Sequence, residues 1–375
     1  MSALIVFGLC AALHFYIAAR LLPDLVAPWS YAVAALVLVS AVMVPLGLRF
    51  RRQADRVTTV GLFFLGLFSS LLVATFLRDV LLILAAIPKL AAPALFRFED
   101  LERITAELVP ALALFMSAVG FWNARHIAHI VHVDVPIAGL PAALHGFSIV
   151  QLSDVHVGPT IRRGYVEGIV KAVNELQADM VAITGDLVDG SVPELREHVA
   201  PLSHLVSRHG SYFVTGNHEY YSGALAWMNE LERMGLKVLH NEHVVIERDG
   251  QKLVIAGVPD FGAGRFHREH ASDPQQAIAG APADAKAKVL LAHQPRSARA
   301  AAKAGFDLQL SGHTHGGQFL PWNFFVRLQQ PFTAGLYRLD ELWVYVSRGT
   351  GYWGPPKRFG APSEITRLRL IPASA

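Results

Sequence analysis

The sequence contains a single cysteine, Cys10, which lies within an apolar run. One cysteine excludes intrachain disulfides and zinc sites built from several thiolates, and it leaves the redox compartment open. The first apolar run is preceded by no lysine or arginine, so we do not expect it to be a secretory signal peptide, which begins with a charged region. With one cysteine in the sequence, a metal site cannot be a cluster of thiolates.

The whole chain has a mean hydropathy of +0.36 and a hydrophobic fraction of 53%, which are high values. The excess of apolar residues lies before about Ala124, where charged residues are scarce. Four apolar runs approach the roughly 20 residues that cross a bilayer as a helix: 3–19, 29–48, 57–77 and 108–122. The fourth is shorter and contains Pro110. We predict a transmembrane region of about four helices over residues 1–124. The alternative, core helices of a soluble domain, is disfavoured by the scarcity of charge.

Arginines crowd the short connection between the second and third runs: Arg49, Arg51, Arg52 and Arg56. Because cytoplasmic loops are enriched in Lys and Arg, this connection is predicted to be cytoplasmic. With four spans the rest of the chain is then cytoplasmic too, as part of a multi-pass cell-membrane protein. Residues 80–87 either extend the third helix or lie at the membrane interface. If they cross the bilayer, the rest of the chain moves to the other side.

The net charge of +3 fits both an anionic substrate and a membrane surface, so it does not distinguish between them.

The remaining sequence alternates short apolar runs with amphipathic segments. We predict strands at 147–152, 179–184, 212–215, 288–292, 308–310, 342–346 and 365–370, with three short β pieces within 237–258. Helices are predicted at 165–176, 193–206 and 224–234. Residues 125–145 are a connecting segment, in which the alternation of Val131, Val133 and Val135 predicts a strand. The pattern indicates an α/β domain of two packed sheets flanked by helices.

Polar clusters follow these strands directly. They are Asp154 with His156, Gly185-Asp186, Gly216-Asn217-His218-Glu219, the lone His293, and Gly312-His313-Thr314-His315. Each cluster alone would be an ordinary turn. Together, at strand ends where open α/β sheets place their sites, they predict a divalent metal site of imidazole and carboxylate ligands. A carboxylate has two oxygens with which it can bridge a pair of ions, and such pairs catalyse in-line displacement at phosphorus.

The order and content of these clusters resemble the calcineurin-like metallophosphoesterases, over roughly residues 146–370. Ser-Asp-x-His-x-Gly from Ser153 and Gly-His-Thr-His-Gly-Gly-Gln from Gly312 are most similar to a membrane-associated branch that includes UDP-diacylglucosamine pyrophosphatase-like enzymes. The resemblance implies a four-layer α/β/β/α sandwich. It also implies two divalent ions, manganese, iron or zinc, whose identity the sequence leaves open.

The resemblance also implies roles for individual residues. The first ion would be held by Asp154, His156 and His315, the second by Asn217, His293 and His313, and Asp186 would bridge them. His218 would face the substrate as general acid or stabilise phosphoryl charge. Glu219 stands where many relatives carry Asp, and either acid could orient His218. Residues 348–359, rich in Gly and Pro, are predicted to form a loop over the site.

The sequence thus predicts a phosphoesterase domain over residues 146–375, attached to the bilayer. The expected reaction is hydrolysis of a phosphodiester or pyrophosphate by metal-bound hydroxide, on a phosphorylated, lipid-linked substrate. Nucleic acid is not expected as a partner, and the oligomeric state stays open. Two alternatives remain: a hydrolase of a soluble phosphoester or nucleotide with a membrane anchor, and a non-catalytic membrane sensor with the same fold.

Overall fold

The computed structural model describes residues 3–50, 56–91 and 97–373, and the chain divides into two compact units. The first unit comprises Met1–Arg125 together with Gly354–Phe359. The second comprises His126–Trp353 and Gly360–Ala375. A short segment near the carboxyl terminus therefore groups with the amino-terminal helices, which the sequence did not indicate.

The first unit is built from four long helices: α1 (Ala3–Leu21), α2 (Trp29–Arg49), α3 (Arg56–Ala91) and α4 (Phe98–Arg125). All four are long and apolar enough to cross a membrane. Large apolar side chains such as Phe15, Leu38 and Trp122 are exposed on them, as lipid-facing residues are. The prediction of about four apolar helices is confirmed. Arg51 and Arg52, used above for orientation, lie outside the described residues.

Two of these helices are longer than the hydropathy runs. Residues 80–87 extend the third helix, so α3 continues over 36 residues. The fourth helix begins at Phe98 rather than near residue 108, because Glu99 and Asp100 in its first turn complement the positive end of the helix dipole. Pro110 is accommodated inside it.

Small residues and buried hydrogen bonds hold the first unit together. A Cβ atom on Gly61 of α3 would lie 2.4 Å from the Cα of Gly47 in α2, so the two backbones meet where only glycine fits. In the segment Gly354–Phe359, the ammonium group of Lys357 is buried. It donates to the carbonyl oxygen of Gly66 and to the hydroxyl of Ser117, each at 3.0 Å. A cation buried among apolar helices is tolerated only with such partners.

Over its described residues, 126–353 and 360–373, the second unit contains twelve strands and seven further α-helices. The strands are β1 (His129–Ile137), β2 (Ser148–Leu152), β3 (Met180–Ile183), β4 (Ser211–Phe213), β5 (Lys237–Val238), β6 (Glu242–Arg248), β7 (Gln251–Gly257), β8 (Ala287–Leu291), β9 (Leu308–Ser311), β10 (Gly335–Leu339), β11 (Leu342–Val346) and β12 (Glu364–Pro372). The helices are α5 (Arg163–Glu175), α6 (Val192–Val199), α7 (Asn217–Ser222), α8 (Ala224–Arg233), α9 (Pro274–Ile278), α10 (Ala298–Lys303) and α11 (Trp322–Phe325).

The strands form two six-stranded mixed sheets, in the orders β1-β12-β2-β3-β4-β5 and β10-β11-β9-β8-β7-β6. One apolar core contains residues of both, among them Ile149 and Met180 from the first sheet and Val289 and Leu310 from the second. The central strands β2 and β3 are buried along their whole length, as parallel strands covered on both faces are. Helices cover the outer faces, since α5 buries Val166 and Ile169, and the α/β sandwich prediction is confirmed.

The strand predicted within residues 125–145 is present as β1, which pairs in parallel with β12 at the edge of the first sheet. Other local features differ from the predictions or were not predicted. The helix predicted at 193–206 ends at Val199 and continues as the 3-10 turn Ala200–His204 around Pro201. Strand β10 and helices α7, α9 and α10 are too short to produce a clear periodicity in the sequence.

Candidate metal centre

The candidate ligands follow the carboxyl ends of five strands. Asp154 comes after β2, Asp186 after β3, Asn217 after β4, His293 after β8 and His313 after β9. Neighbouring parallel strands bring these ends to one edge of each sheet.

The side chain of Gln151 joins the two sheets at this edge. Its Nε2 donates to the hydroxyl of Thr184 at 2.8 Å, in the first sheet, and to the carbonyl oxygen of Ser311 at 2.9 Å, in the second. Gln151 is fully buried, so these hydrogen bonds are protected from competition by water. The two sets of ligand loops are thus held in a fixed relation.

Among the described residues, three groups of three side chains have ligand atoms within 4.8 Å of one another, and two of these groups consist of predicted ligands. The first group is Asp154, His156 and His315, with 3.0 Å between the two histidine Nε2 atoms. The second is Asp186, His293 and His313, with 3.2 Å between His293 Nε2 and His313 Nδ1.

The carboxylate of Asp186 lies between the two groups. Its Oδ2 is 3.2 Å from His293 Nε2 in the second group and 3.9 Å from His156 Nε2 in the first. Its Oδ1 accepts a hydrogen bond from the backbone N–H of His218 at 2.8 Å. Asp186 therefore stands where a ligand shared by both groups would have to be.

The donor atoms fit divalent cations. Two ligands about 2.1 Å from one ion and at right angles to each other are about 3 Å apart, which is the spacing of the paired imidazole nitrogens. Asn217 Oδ1 is buried and has no hydrogen-bond partner among the described residues, which is costly for an amide oxygen unless a cation satisfies it. Both the nitrogen spacing and the unsatisfied amide oxygen favour a metal centre.

Hydrogen bonds on the far side of two imidazoles set which nitrogen is presented. His293 Nδ1 donates to the carbonyl oxygen of Thr184 at 2.8 Å, and His156 Nδ1 lies 3.0 Å from Asp189 Oδ1. Both rings therefore present Nε2 to the site, because Nδ1 is engaged on the far side. Such partners fix the tautomer and orientation of metal-binding histidines.

Five of the candidate ligands have a left-handed backbone, with φ between 51° and 70°: Asp154, His156, Asp186, His313 and His315. This conformation is uncommon for residues with a side chain and clusters at functional sites. Glycines allow the remaining close approaches. A Cβ on Gly216 would lie 2.2 Å from Asp186 Oδ1, and one on Gly312 would lie 2.1 Å from Asp154 Oδ2.

The sequence analysis missed Asp189, whose carboxylate contacts two of the site histidines. Its Oδ1 lies 2.5 Å from His218 Nδ1 as well as 3.0 Å from His156 Nδ1. Burial opposes charge on both partners, yet Asp186 and Asp189 raise the pKa of His218 to about 9, and the two imidazoles lower the pKa of Asp189. The spacing Gly185-Asp186-x-x-Asp189 was the available signal.

Glu219 has a different role from the one expected. Its buried carboxylate does not orient His218 but accepts backbone N–H groups of the ligand loops: Gly216 at 2.6 Å, Asp186 at 2.9 Å, Leu187 at 2.8 Å and Val188 at 3.3 Å. The side chain of Glu219, longer than that of aspartate, reaches the loop that follows β3. Glu219 thus supports the backbone that carries Asp186, and Asp189 orients His218.

Charge in the site is balanced between acids and imidazoles. Burial and the neighbouring His293 lower the pKa of His313 to about 3, so that ring is neutral and able to bind a cation. Burial opposes the charge of His293, but Asp186 outweighs it and raises the His293 pKa. A cation bound here would displace the proton of this pair, because metal ligands must be deprotonated.

Comparison with known proteins agrees with this geometry. The profile of the calcineurin-like phosphoesterases matches residues 147–317. A transmembrane protein with metallophosphoesterase domain from Bos taurus is 43% identical over 278 residues, covering 70% of this chain and 62% of that protein. The Danio rerio protein of the same name is 41% identical over 271 residues, covering 69% and 62%. The chain thus spans about three fifths of the length of these relatives.

A shorter relative is matched over most of its own length. An uncharacterized metallophosphoesterase from Aquifex aeolicus is 35% identical over 224 residues, which are 59% of this chain and 84% of that protein. The region matched by the family profile, residues 147–317, contains the strand-end clusters that form the two ligand groups. With its two sheets, its facing ligand groups and these relatives, the chain belongs to the calcineurin-like phosphoesterase family.

Proposed function

We propose that this protein is a membrane-bound phosphodiesterase or pyrophosphatase whose substrate is lipid-linked. Membership of the family implies metal-dependent hydrolysis of phosphoesters, and the candidate ligands for it are present. In this proposal residues 1–124 form the transmembrane region and residues 146–375 form the phosphoesterase domain, while residues 125–145 connect the two and add strand β1 to the first sheet. The bond cleaved and the lipid-linked substrate are the parts that need experiment.

The ligand assignment rests on the position of Asp186. Because its Oδ2 lies near imidazoles of both groups, it is the proposed bridge. Asp154, His156 and His315 would hold one divalent ion, and Asn217, His293 and His313 the other. Such an ion pair, when bound, polarises phosphoryl oxygens and supplies hydroxide near neutral pH.

The remaining chemistry belongs to His218. Its Nδ1 faces Asp189, and its Nε2 lies 4.0 Å from Asp186 Oδ2, so the free nitrogen points toward the ligand groups. With a pKa near 9 the ring carries a proton at neutral pH. We assign it the donation of that proton to the leaving-group oxygen, or the stabilisation of phosphoryl charge by the imidazolium.

The choice of a lipid-linked substrate is supported by the four apolar helices. They would keep the site close to a bilayer, where amphipathic substrates are at a high effective concentration. The arginines between α2 and α3 favour a cytoplasmic phosphoesterase domain. Reporter fusions at the carboxyl terminus test this orientation: a reporter active only in the cytoplasm should be active, and an exported signal would overturn the assignment.

The hydrolase proposal is tested by turnover of bis-p-nitrophenyl phosphate with added manganese, using the full chain in lipid nanodiscs. Asp186→Ala should lose at least about 100-fold in kcat, since both proposed ions lose a ligand. The matched control is Asp134→Ala, which removes an exposed carboxylate paired with Arg369 at 2.7 Å and should keep full activity. Full activity of Asp186→Ala would remove the mechanism.

A further inference from the structure

Three large aromatic side chains beside His218 are about half exposed: Tyr221 at 56%, Phe266 at 49% and Trp353 at 51%. The ring centroids of Tyr221 and Trp353 lie 5.3 and 5.7 Å from that of His218. Phe266 continues the surface, 5.7 Å from Tyr221. We call these three residues the aromatic rim. Single exposed aromatics are ordinary, but a contiguous set beside a proton donor marks a binding surface.

Two of the three rim residues are anchored to the elements that carry the candidate ligands. The backbone N–H of Trp353 donates to Gln318 Oε1 at 2.8 Å, and Gln318 Nε2 donates back to the Trp353 carbonyl oxygen at 2.9 Å. Gln318 itself is buried and follows the His313 and His315 loop directly. Tyr221 belongs to α7, the helix that also carries His218. Ligand loops and rim therefore share the same supports, and a preorganised surface loses little entropy on binding.

A phosphoester bound at the ligand groups would have to extend a substituent past His218. Because His218 faces the ligand groups, both substituents on a phosphorus bound there, the leaving group and the retained group, come within reach of the rings that contact this imidazole. The rim is thus continuous with the catalytic site, and its occupant is part of the substrate. Its surface is apolar, so the matching part of the substrate is apolar too.

Ring geometry distinguishes an aliphatic chain from a nucleobase. The planes are inclined by 66° between His218 and Tyr221, 63° between Tyr221 and Phe266, and 77° between His218 and Trp353. A planar base stacks best on a flat face or between parallel faces. Rings inclined to one another offer a base no pair of parallel faces, whereas a flexible chain can follow them.

We propose that the aromatic rim, Tyr221, Phe266 and Trp353, binds the aliphatic chain of the substrate and gives the enzyme its preference for lipid-linked phosphoesters. This inference rests on the proposed function, because it needs turnover at the same site. It goes further by naming the residues that select the substrate.

The test uses three esters with one leaving group: methyl, hexyl and thymidine 5′-(p-nitrophenyl phosphate). Activity is measured with manganese and the full chain in nanodiscs, so that partitioning into lipid is the same for every variant. The wild type should prefer the hexyl over the methyl ester by roughly 10-fold or more in kcat/KM. Tyr221→Ala and Trp353→Ala should reduce that ratio toward 1, mainly through KM, and Trp353→Phe should restore much of it.

The matched control is Trp322→Ala. Trp322 is 42% exposed and packs on Phe325 with ring centroids 5.7 Å apart, so its loss should leave the hexyl-to-methyl ratio unchanged. An unchanged ratio in both rim variants, or a ratio equally reduced in Trp322→Ala, overturns the inference while the hydrolase proposal stands. If the rim variants selectively lose turnover of the thymidine ester, the rim binds a base, and the inference that it binds an aliphatic chain is overturned. Absence of turnover for all three esters in the wild type refutes the proposed function itself, and the inference with it.

Discussion

His218 Nδ1 and Asp189 Oδ1 are 2.5 Å apart, and the same carboxylate oxygen lies 3.0 Å from Nδ1 of His156. One acid therefore orients both the proposed proton donor and a proposed metal ligand. Because Asp189 is bonded to the far side of each ring, it acts through them and is a positioning residue.

Replacing Asp189 with asparagine should lower kcat by roughly 10–100-fold and alter its pH dependence. The His218 pKa is about 9, so activity that needs the protonated ring should fall as pH rises through that value. Removing the Asp189 charge lowers the His218 pKa, and the falling limb of the pH–kcat profile should move to lower pH. Asp134→Asn, at the exposed carboxylate facing Arg369, is the control. A limb that stays in place would show that Asp189 does not tune His218.

Gly312→Ala should weaken metal binding by roughly 10-fold or more, because its Cβ would meet Asp154 Oδ2 at 2.1 Å and displace the carboxylate. Gly164→Ala is the matched control, since no described heavy atom lies within 4 Å of the added Cβ and the residue is in α5. Calorimetric titration of the metal-free proteins with manganese measures the difference in affinity between the two variants. Equal affinities in the two variants would contradict the proposed role of Asp154.

Glu219→Ala should destabilise the phosphoesterase unit by about 3 kcal/mol, because four backbone N–H groups lose their buried acceptor. Thermal unfolding followed by circular dichroism should show a Tm lower by about 6 °C or more. Glu167→Ala, which removes only an exposed pair with Arg163, should change Tm by about 1 °C or less. A Tm that Glu219→Ala leaves unchanged would mean that the loops do not depend on this carboxylate.

In the helical unit, Gly61→Leu should separate α2 from α3, since even a Cβ there would lie 2.4 Å from Gly47. The expected result is aggregation or loss of the monodisperse peak in size-exclusion chromatography in detergent. Gly8→Leu serves as the control, because no described heavy atom surrounds its Cβ position within 4 Å. If both variants behave like the wild type, the close crossing at Gly47 and Gly61 does not stabilise the unit.

Local sequence patterns were sufficient for much of the fold. Strands such as 342–346 were predicted at their observed bounds, because a continuous apolar run bounded by polar residues indicates a buried strand. The clusters at strand ends predicted which side chains would meet, and the structure brings Asp154, His156 and His315 together as expected. Their roles as ligands remain a proposal until a metal is measured.

Other features depend on contacts between residues far apart in sequence. The pairing of β1 with β12 joins His129 to Glu364, which no local periodicity can reveal. The grouping of Gly354–Phe359 with the amino-terminal helices has the same origin. Asp189 was overlooked because an acid after a strand is common in turns, and only its contact with His218 distinguishes it.

Metal content tests the central claim most directly. The full chain, purified from cells grown with added manganese, should contain about two divalent ions per chain by elemental analysis. Asp186→Ala, once circular dichroism shows that it is folded, should lose most of both ions. His313→Ala should lose about one ion per chain. A folded wild type that contains no divalent metal and binds none on titration would contradict the account.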